Sequence, residues 1–308
     1  MSQRQRVTIG TRGSKLALWQ AEWVKTELMR LNKGIEVSLK IIKTKGDKIL
    51  DVPLSKVGGK GLFVKEIEDS LLQGETELAV HSMKDVPMVL PSGLHLSALC
   101  KREDPRDAFI SIKYKNLSEL PHGAVVGTSS LRRACQILHF HPDLTISQLR
   151  GNVDTRLAKL KSGQYDAIMI AVAGVKRLGL GEMITDIPGP SVILPAVGQG
   201  CVGIECRVDD KFTTSLTSVL NHDTTALCVR AERAFLKKLE GGCQIPIAAY
   251  GIIEENSIVL EGLVGSEDGK TIIRDKISGD MKDPESIGLK LAQILIENGA
   301  DRILELQT

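Results

Sequence analysis

The chain has 308 residues, 42% of them hydrophobic but only 3% aromatic, enough to bury a sizeable, mainly aliphatic core spread over two or three domains. Its 40 lysines and arginines against 38 aspartates and glutamates leave a formal charge of +2, too little for a general attraction to nucleic acid or membrane, so any anion site has to be local. Six scattered cysteines, without a Cys-x-x-Cys pair or clustered histidines, give neither a disulfide framework nor the spacing of a metal site, and most read as reduced core residues.

Met1 to Arg6 leads directly into an apolar strand at Val7, which leaves no space for a secretory core or transit peptide. No apolar run approaches the roughly 20 residues of a membrane helix. A cytoplasmic location is expected. Val7 to Thr11 reads as a buried strand, Leu16 to Leu31 as a helix with apolar residues at Leu16, Ala17, Ala21, Val24, Leu28 and Leu31, and Val37, Leu39 and Ile41 as a second strand. Leu62 to Leu72 is helical, and Leu78 to Val80 and Leu94 to Cys100 are strands.

The same alternation restarts near residue 106, with strands at Phe109 to Ile112, Ala124 to Val126, Leu144 to Leu149 and Ala167 to Ile170. Helices follow from about Ser130, at Val153 to Lys161 and at Val172 to Leu178. Gly200 to Cys206 reads as a strand that can return to the first unit. The helix Thr224 to Leu239, strands at Ala248 to Ile253, Ser257 to Val264 and Thr271 to Ile277, and the helix Pro284 to Asn298 suggest a small separate α+β domain. The expected division is 1–100 with 200–218, 105–195, and 222–308. Two open α/β units in series are expected to bind ligand in a crevice, at the turns that follow strands.

Those turns carry the chemistry. Gly10-Thr11-Arg12-Gly13-Ser14 and Gly127-Thr128-Ser129-Ser130-Leu131-Arg132-Arg133 each lead from strand to helix and combine glycine, hydroxyls and arginine. Free N–H groups at a helix start favour an anion, and arginine pairs with a carboxylate or phosphate through two parallel hydrogen bonds. Ser14 and Thr128 also suit plain helix capping. Arg150-Gly151-Asn152-Val153-Asp154-Thr155-Arg156, Lys176-Arg177 and Gly58-Gly59-Lys60-Gly61 add further cations, although the last lacks the ending of a P-loop. Gly198-Gln199-Gly200-Cys201-Val202-Gly203 matches a dinucleotide fingerprint in letters only, because a strand follows it where a helix is required.

His81-Ser82-Met83-Lys84-Asp85-Val86-Pro87 begins where a strand ends, and Asp85 is placed either for proton transfer or merely as a turn residue before Pro87. Cys243 lies in the exposed turn Glu240-Gly241-Gly242-Cys243-Gln244-Ile245-Pro246. A helix C-terminus opposes thiolate formation and no histidine adjoins it, so a one-time covalent anchor suits it better than repeated nucleophilic attack; an idle surface thiol fits the spacing equally well.

At these residues the chain closely resembles the porphobilinogen deaminase (hydroxymethylbilane synthase) family. The shared segments include Gly10 to Leu18, Lys56 to Val64, His81 to Pro87, Arg102 to Ala108, Gly127 to Arg133, Leu149 to Arg156, Leu194 to Gly200 and Gly241 to Pro246. The resemblance implies two α/β domains built like type II periplasmic binding proteins and a small C-terminal α+β domain. It implies a transferase of tetrapyrrole and haem biosynthesis that joins four porphobilinogen molecules head to tail, releasing ammonia, and hydrolyses off the linear hydroxymethylbilane. The reaction is primed on a dipyrromethane cofactor in thioether linkage to Cys243.

By the same resemblance Asp85 is the catalytic carboxylate. Ser82, Lys84, Thr128, Ser129, Ser130, Arg132, Arg133, Arg150, Gly151 and Asp47 hold the cofactor. Arg12, Ser14, Gln20, Lys56, Lys60, Arg156, Arg177 and Gln199 hold the substrate. Cys201 stands where related sequences often carry a smaller residue. A monomer without metal, nucleic-acid or membrane partners is expected. The chief competing readings are a non-enzymatic carboxylate receptor of the same architecture and an enzyme that uses Cys243 as a turnover nucleophile.

Overall fold

The computed structural model describes residues 6–48, 61, 63–239 and 245–305. They form two compact units, one made of residues 6–48, 61, 63–103 and 201–226, the other of residues 104–200, 227–239 and 245–305.

In the first unit β1 (Arg6–Thr11) buries Val7 and Ile9 completely and passes into α1 (Lys15–Leu31). Ser14 starts that helix by accepting a hydrogen bond from the Ala17 backbone, and Ala21, Val24 and Leu28 bury one stripe of it against the sheet. β2 (Glu36–Ile41), α2 (Lys65–Leu72), β3 (Leu78–Ser82) and β4 (Leu94–Leu99) follow.

The second unit opens with β5 (Asp107–Ser111) and continues through β6 (Val125–Gly127), α3 (Leu131–Phe140), β7 (Thr145–Ser147), α4 (Val153–Lys161), β8 (Ala167–Ala171) and α5 (Val172–Arg177). The chain returns to the first unit as β9 (Val202–Arg207) and α6 (Lys211–Ser218).

Both sheets follow one plan. In the first, of order β2-β1-β3-β9-β4, β1 lies parallel between β2 and β3, and β9 inserts antiparallel beside β3 with Val80 opposite Ile204. In the second, of order β5-β8-β6-β7, β6 lies parallel between β7 and β8, and β5 is the antiparallel neighbour of β8. Each thus has a parallel trio with an antiparallel strand from a chain crossing beside it, and the first sheet adds β4 on the far side of β9. This is the periplasmic-binding-protein-like α/β arrangement that the resemblance implies. β9 also explains why the glycines before it bind no dinucleotide, since a strand and not a helix follows them.

α7 (Asp223–Lys238), β10 (Ile247–Glu254), β11 (Ser257–Gly265), β12 (Ile272–Asp280) and α8 (Pro284–Leu295) complete the chain as an antiparallel meander covered by helices. Phe235, Leu260, Leu291 and Leu295 are fully buried in its core. Most elements lie within a residue or two of their expected positions. α6 was not expected, because its Thr213, Thr214, Ser215 and Thr217 are poor helix formers. Asp210 caps it by accepting from the Thr213 amide, and Leu216 packs into the first-unit core, so tertiary contacts override propensity.

Candidate active site

Strand ends of the first unit build a pocket enclosing about 420 Å³, part of it open to solvent. β1 delivers Arg12, the start of α1 delivers Ser14 and Gln20, and the end of β3 delivers His81 and Ser82. The single turn Met83–Asp85 then brings Asp85, exposed, to the same pocket. Arg12 stacks its guanidinium on the Phe63 ring, 4.3 Å from the centroid, which pre-orients a cation over an aromatic face. Gln20 is buried and donates to Ser82 Oγ at 2.9 Å. The donor set therefore fits a small aromatic ring with carboxylate arms and a ring N–H: a guanidinium and hydroxyls for the arms, a carboxylate for the N–H. Lys84 lies half-buried between Ser82 and Asp85.

In the second unit the expected residues also cluster at the carboxyl ends of the parallel strands. Ser130 caps α3 by accepting from the Arg133 amide, and Thr128 Oγ1 accepts from the Ser130 amide, so the capping role falls two residues later than expected. Ser129 donates to the Leu149 carbonyl at 2.8 Å, tying the turn after β6 to the segment after β7. There Gly151 has φ +113, and a β-carbon on it would meet Thr155, so the Arg150 turn depends on glycine. Arg156 donates to the Gly151 carbonyl at 2.8 Å and Arg177 to the Gly200 carbonyl at 2.7 Å.

Arg132 and Arg133 turn inward. Both are 5% exposed, and both pair with Asp107 at the start of β5, at 2.8 and 2.7 Å. Arg133 also donates to the Met169 carbonyl and Arg132 to the Leu194 carbonyl. Burial opposes ionisation of Asp107, but the two guanidiniums outweigh it and hold the carboxyl well below the usual range. Gln199 donates to Asp107 at 2.9 Å and to the Pro105 carbonyl at 2.6 Å. These three expected site residues thus form one buried network around a carboxylate that sequence spacing did not single out.

A second buried cluster lies under the Asp85 pocket. His81 Nε2 is 2.9 Å from Glu205 Oε2, with Glu205 fully buried on β9. Glu68 on α2 is also buried, and burial together with the nearby Glu205 raises its carboxyl to about 7. Among the described residues Glu68 Oε1 and Glu205 Oε1 have no hydrogen-bond partner. Sequence reading missed both carboxylates. The available signal was a glutamate inside the otherwise apolar run Val202-Gly203-Ile204-Glu205-Cys206.

Cys243, Lys56, Lys60 and the side chain of Asp47 lie outside the described residues, as does most of the glycine-rich loop from Val57 to Gly61. Cys100, Cys135, Cys201, Cys206 and Cys228 are buried free thiols, as expected of core cysteines. No described helix is long and apolar enough to cross a membrane.

Among solved structures, the chain is similar to a putative methionine-binding lipoprotein from Bacillus subtilis, at 12% identity and a TM-score of 0.44 over 73% of this chain and 93% of that one. It is also similar to the periplasmic VFT2 domain of Bordetella pertussis BvgS, at 14% identity and a TM-score of 0.42 over 71% of this chain and 87% of that one. Two family descriptions match almost end to end: porphobilinogen deaminase, dipyromethane cofactor binding domain, over residues 7–215, and porphobilinogen deaminase, C-terminal domain, over residues 226–297. With a pocket whose donors suit a carboxylated pyrrole and both family domains matched in order, the chain belongs to the porphobilinogen deaminase family.

Proposed function

We propose that Asp85 is the carboxylate that serves the reaction and that Cys243 anchors the cofactor. The enzyme is a hydroxymethylbilane synthase, a transferase that condenses four porphobilinogen molecules with loss of ammonia and releases the linear tetrapyrrole. When bound, the dipyrromethane supplies the primer, a pyrrole whose free ring carbon carries the growing chain.

The observation that carries the assignment is the position of Asp85, an exposed carboxylate at a pocket that otherwise offers Arg12, Ser14, Gln20 and Ser82. In that place it accepts a pyrrole N–H and opposes the positive charge that develops as ammonia departs. Arg12, Ser14 and Gln20 orient the substrate's carboxylate arms. In the second unit Thr128, Ser129, Ser130, Arg150, Arg156 and Arg177 are suited to carboxylate arms by their chemistry, as Lys84 is in the first unit. Arg132, Arg133, Gly151 and Gln199 shape the turns that present them. Lys56, Lys60 and Asp47 are assigned by resemblance alone.

The buried free thiols support a reducing, cytoplasmic location, and singly scattered exposed apolar residues such as Ile41, Val89 and Ile112 support a monomer. The C-terminal meander has its own hydrophobic core, which supports a third domain although it clusters in one compact unit with the second sheet.

Intact-protein mass spectrometry combined with turnover tests the assignment. The purified enzyme should be heavier than its sequence by two linked pyrrole units, and Cys243→Ser should lose that increment. Asp85→Asn should keep the increment and lose nearly all turnover. An unmodified mass in fully active protein removes the anchor role, and near-normal turnover of Asp85→Asn removes Asp85 from the chemistry.

A further inference from the structure

Glu205 is a fully buried carboxylate within the sheet of the first unit. It lies mid-strand in β9, opposite Ala79 of β3 and Leu96 of β4, fully buried. An apolar side chain there would suit the sheet better, because a buried carboxylate is costly unless a cation compensates it. Strand alternation puts Glu205 on the same sheet face as His81, beneath α2, which contributes Glu68.

His81 bonds Glu205 and also lines the Asp85 pocket. Among the described residues other charges lie on the elements around Glu68, and Asp69 also opposes its ionisation. On α2 itself are Lys65, Glu66, which accepts from the Lys45 amide, and Asp69. Arg207 of β9 donates to the Leu71 and Thr76 carbonyls and to Asp210. His95 of β4 is bonded to Thr214, and Arg6 lies at the exposed start of β1 beside Glu36.

We propose that His81 is a positioning residue of the reaction pocket whose charge is set from beneath by the buried carboxyl pair Glu205 and Glu68. Two buried carboxyls with unpartnered oxygens on packed elements cannot both carry full charge at low cost. Burial and Glu205 raise Glu68 to about 7, so Glu68 exchanges its proton in the neutral range. Ionised Glu68 adds negative charge behind His81, which favours departure of ammonia from the substrate's aminomethyl arm. His81 transmits the change, being next in sequence to Ser82 and two residues before the turn that holds Asp85.

The inference rests on the Asp85 pocket being the reaction pocket, and its primary readout needs no turnover. The holoenzyme has six histidines. NMR of its ring-labelled histidines, with the His81 signal assigned by its loss in His81→Asn, follows that signal across neutral pH. The expected result is an inflection that moves or vanishes in Glu68→Gln, with the remaining histidine signals unchanged. Turnover of the wild type is expected to rise roughly three- to tenfold over the same range, as one net charge near the site implies, and to be flat in Glu68→Gln. An identical His81 midpoint in both proteins overturns the proposal, and so does an unaltered pH profile of turnover. Should Glu68→Gln fail to fold, Glu68→Asp decides: a shifted His81 midpoint supports the coupling, an unshifted one overturns it. Failure of Asp85 as the reaction carboxylate shows separately, as persistent turnover of Asp85→Asn.

Discussion

Arg132 and Arg133 sit side by side at the start of α3, yet their chemistry is decided by a residue far away in sequence, Asp107. The three charges are buried together, and the pair of guanidiniums outweighs the cost of burying the carboxylate. Asp107→Asn leaves two buried cations without their counter-charge, and the expected loss is about 3–5 kcal/mol of unfolding free energy. Urea unfolding measures it, and a change under about 1 kcal/mol contradicts the account. The pH dependence follows from the sign. Asp107 is depressed when folded, so its contribution is present above the ordinary carboxylate range and is lost only as pH falls through the lower folded value. The gap between wild type and variant should therefore stay constant between about pH 5 and 8 and close only in strong acid.

At the scale of elements, α7 and α8 cross so closely that position 288 tolerates only glycine. A β-carbon on Gly288 would run into the Ala231 carbonyl and the Phe235 amide, both backbone atoms that cannot swing away. Gly288→Ala is expected to cost about 1–3 kcal/mol by forcing the helices apart, read as a lower urea midpoint; an unchanged midpoint contradicts the close crossing.

The sequence pattern makes both helices legible, since Leu291 and Leu295 recur at helical spacing, but nothing in it marks Gly288 as a contact. The same limit applies to the site. Arg12, Ser14, Ser82 and Asp85 were legible because each directly follows or opens a regular element, so local grammar places them at one pocket. That Arg132 and Arg133 face inward was not legible, because the partner that turns them arrives through the pairing of β5 with β8. Glu68 was hidden for the same reason. Its neighbours in α2 read as an ordinary charged helix, and its burial depends on β9.

At the scale of the whole molecule, the decisive event is the return of the chain at Cys201. β9 supplies Val202, Ile204 and Cys206 to the first-unit core and, among the described residues, is the only strand paired with β4. Residues 6–103 contain β1 to β4 but lack it, so β4 loses its ladder and β3 is left as an open apolar edge. The missing strand is separated from β3 by the entire second sheet, and such long-range pairing costs loop-closure entropy before any contact compensates it. A fragment of residues 6–103 is therefore expected to stay largely unstructured or to aggregate, as followed by far-UV circular dichroism and size-exclusion chromatography. Addition of a peptide spanning residues 201–226 should restore secondary structure and protect the β3 and β4 amides from hydrogen exchange. A fragment that folds cooperatively alone, with those amides already protected, would show that β9 merely docks onto a finished sheet. The inserted strand also carries Glu205, so completing the fold is the same step that places the buried carboxylate beside His81.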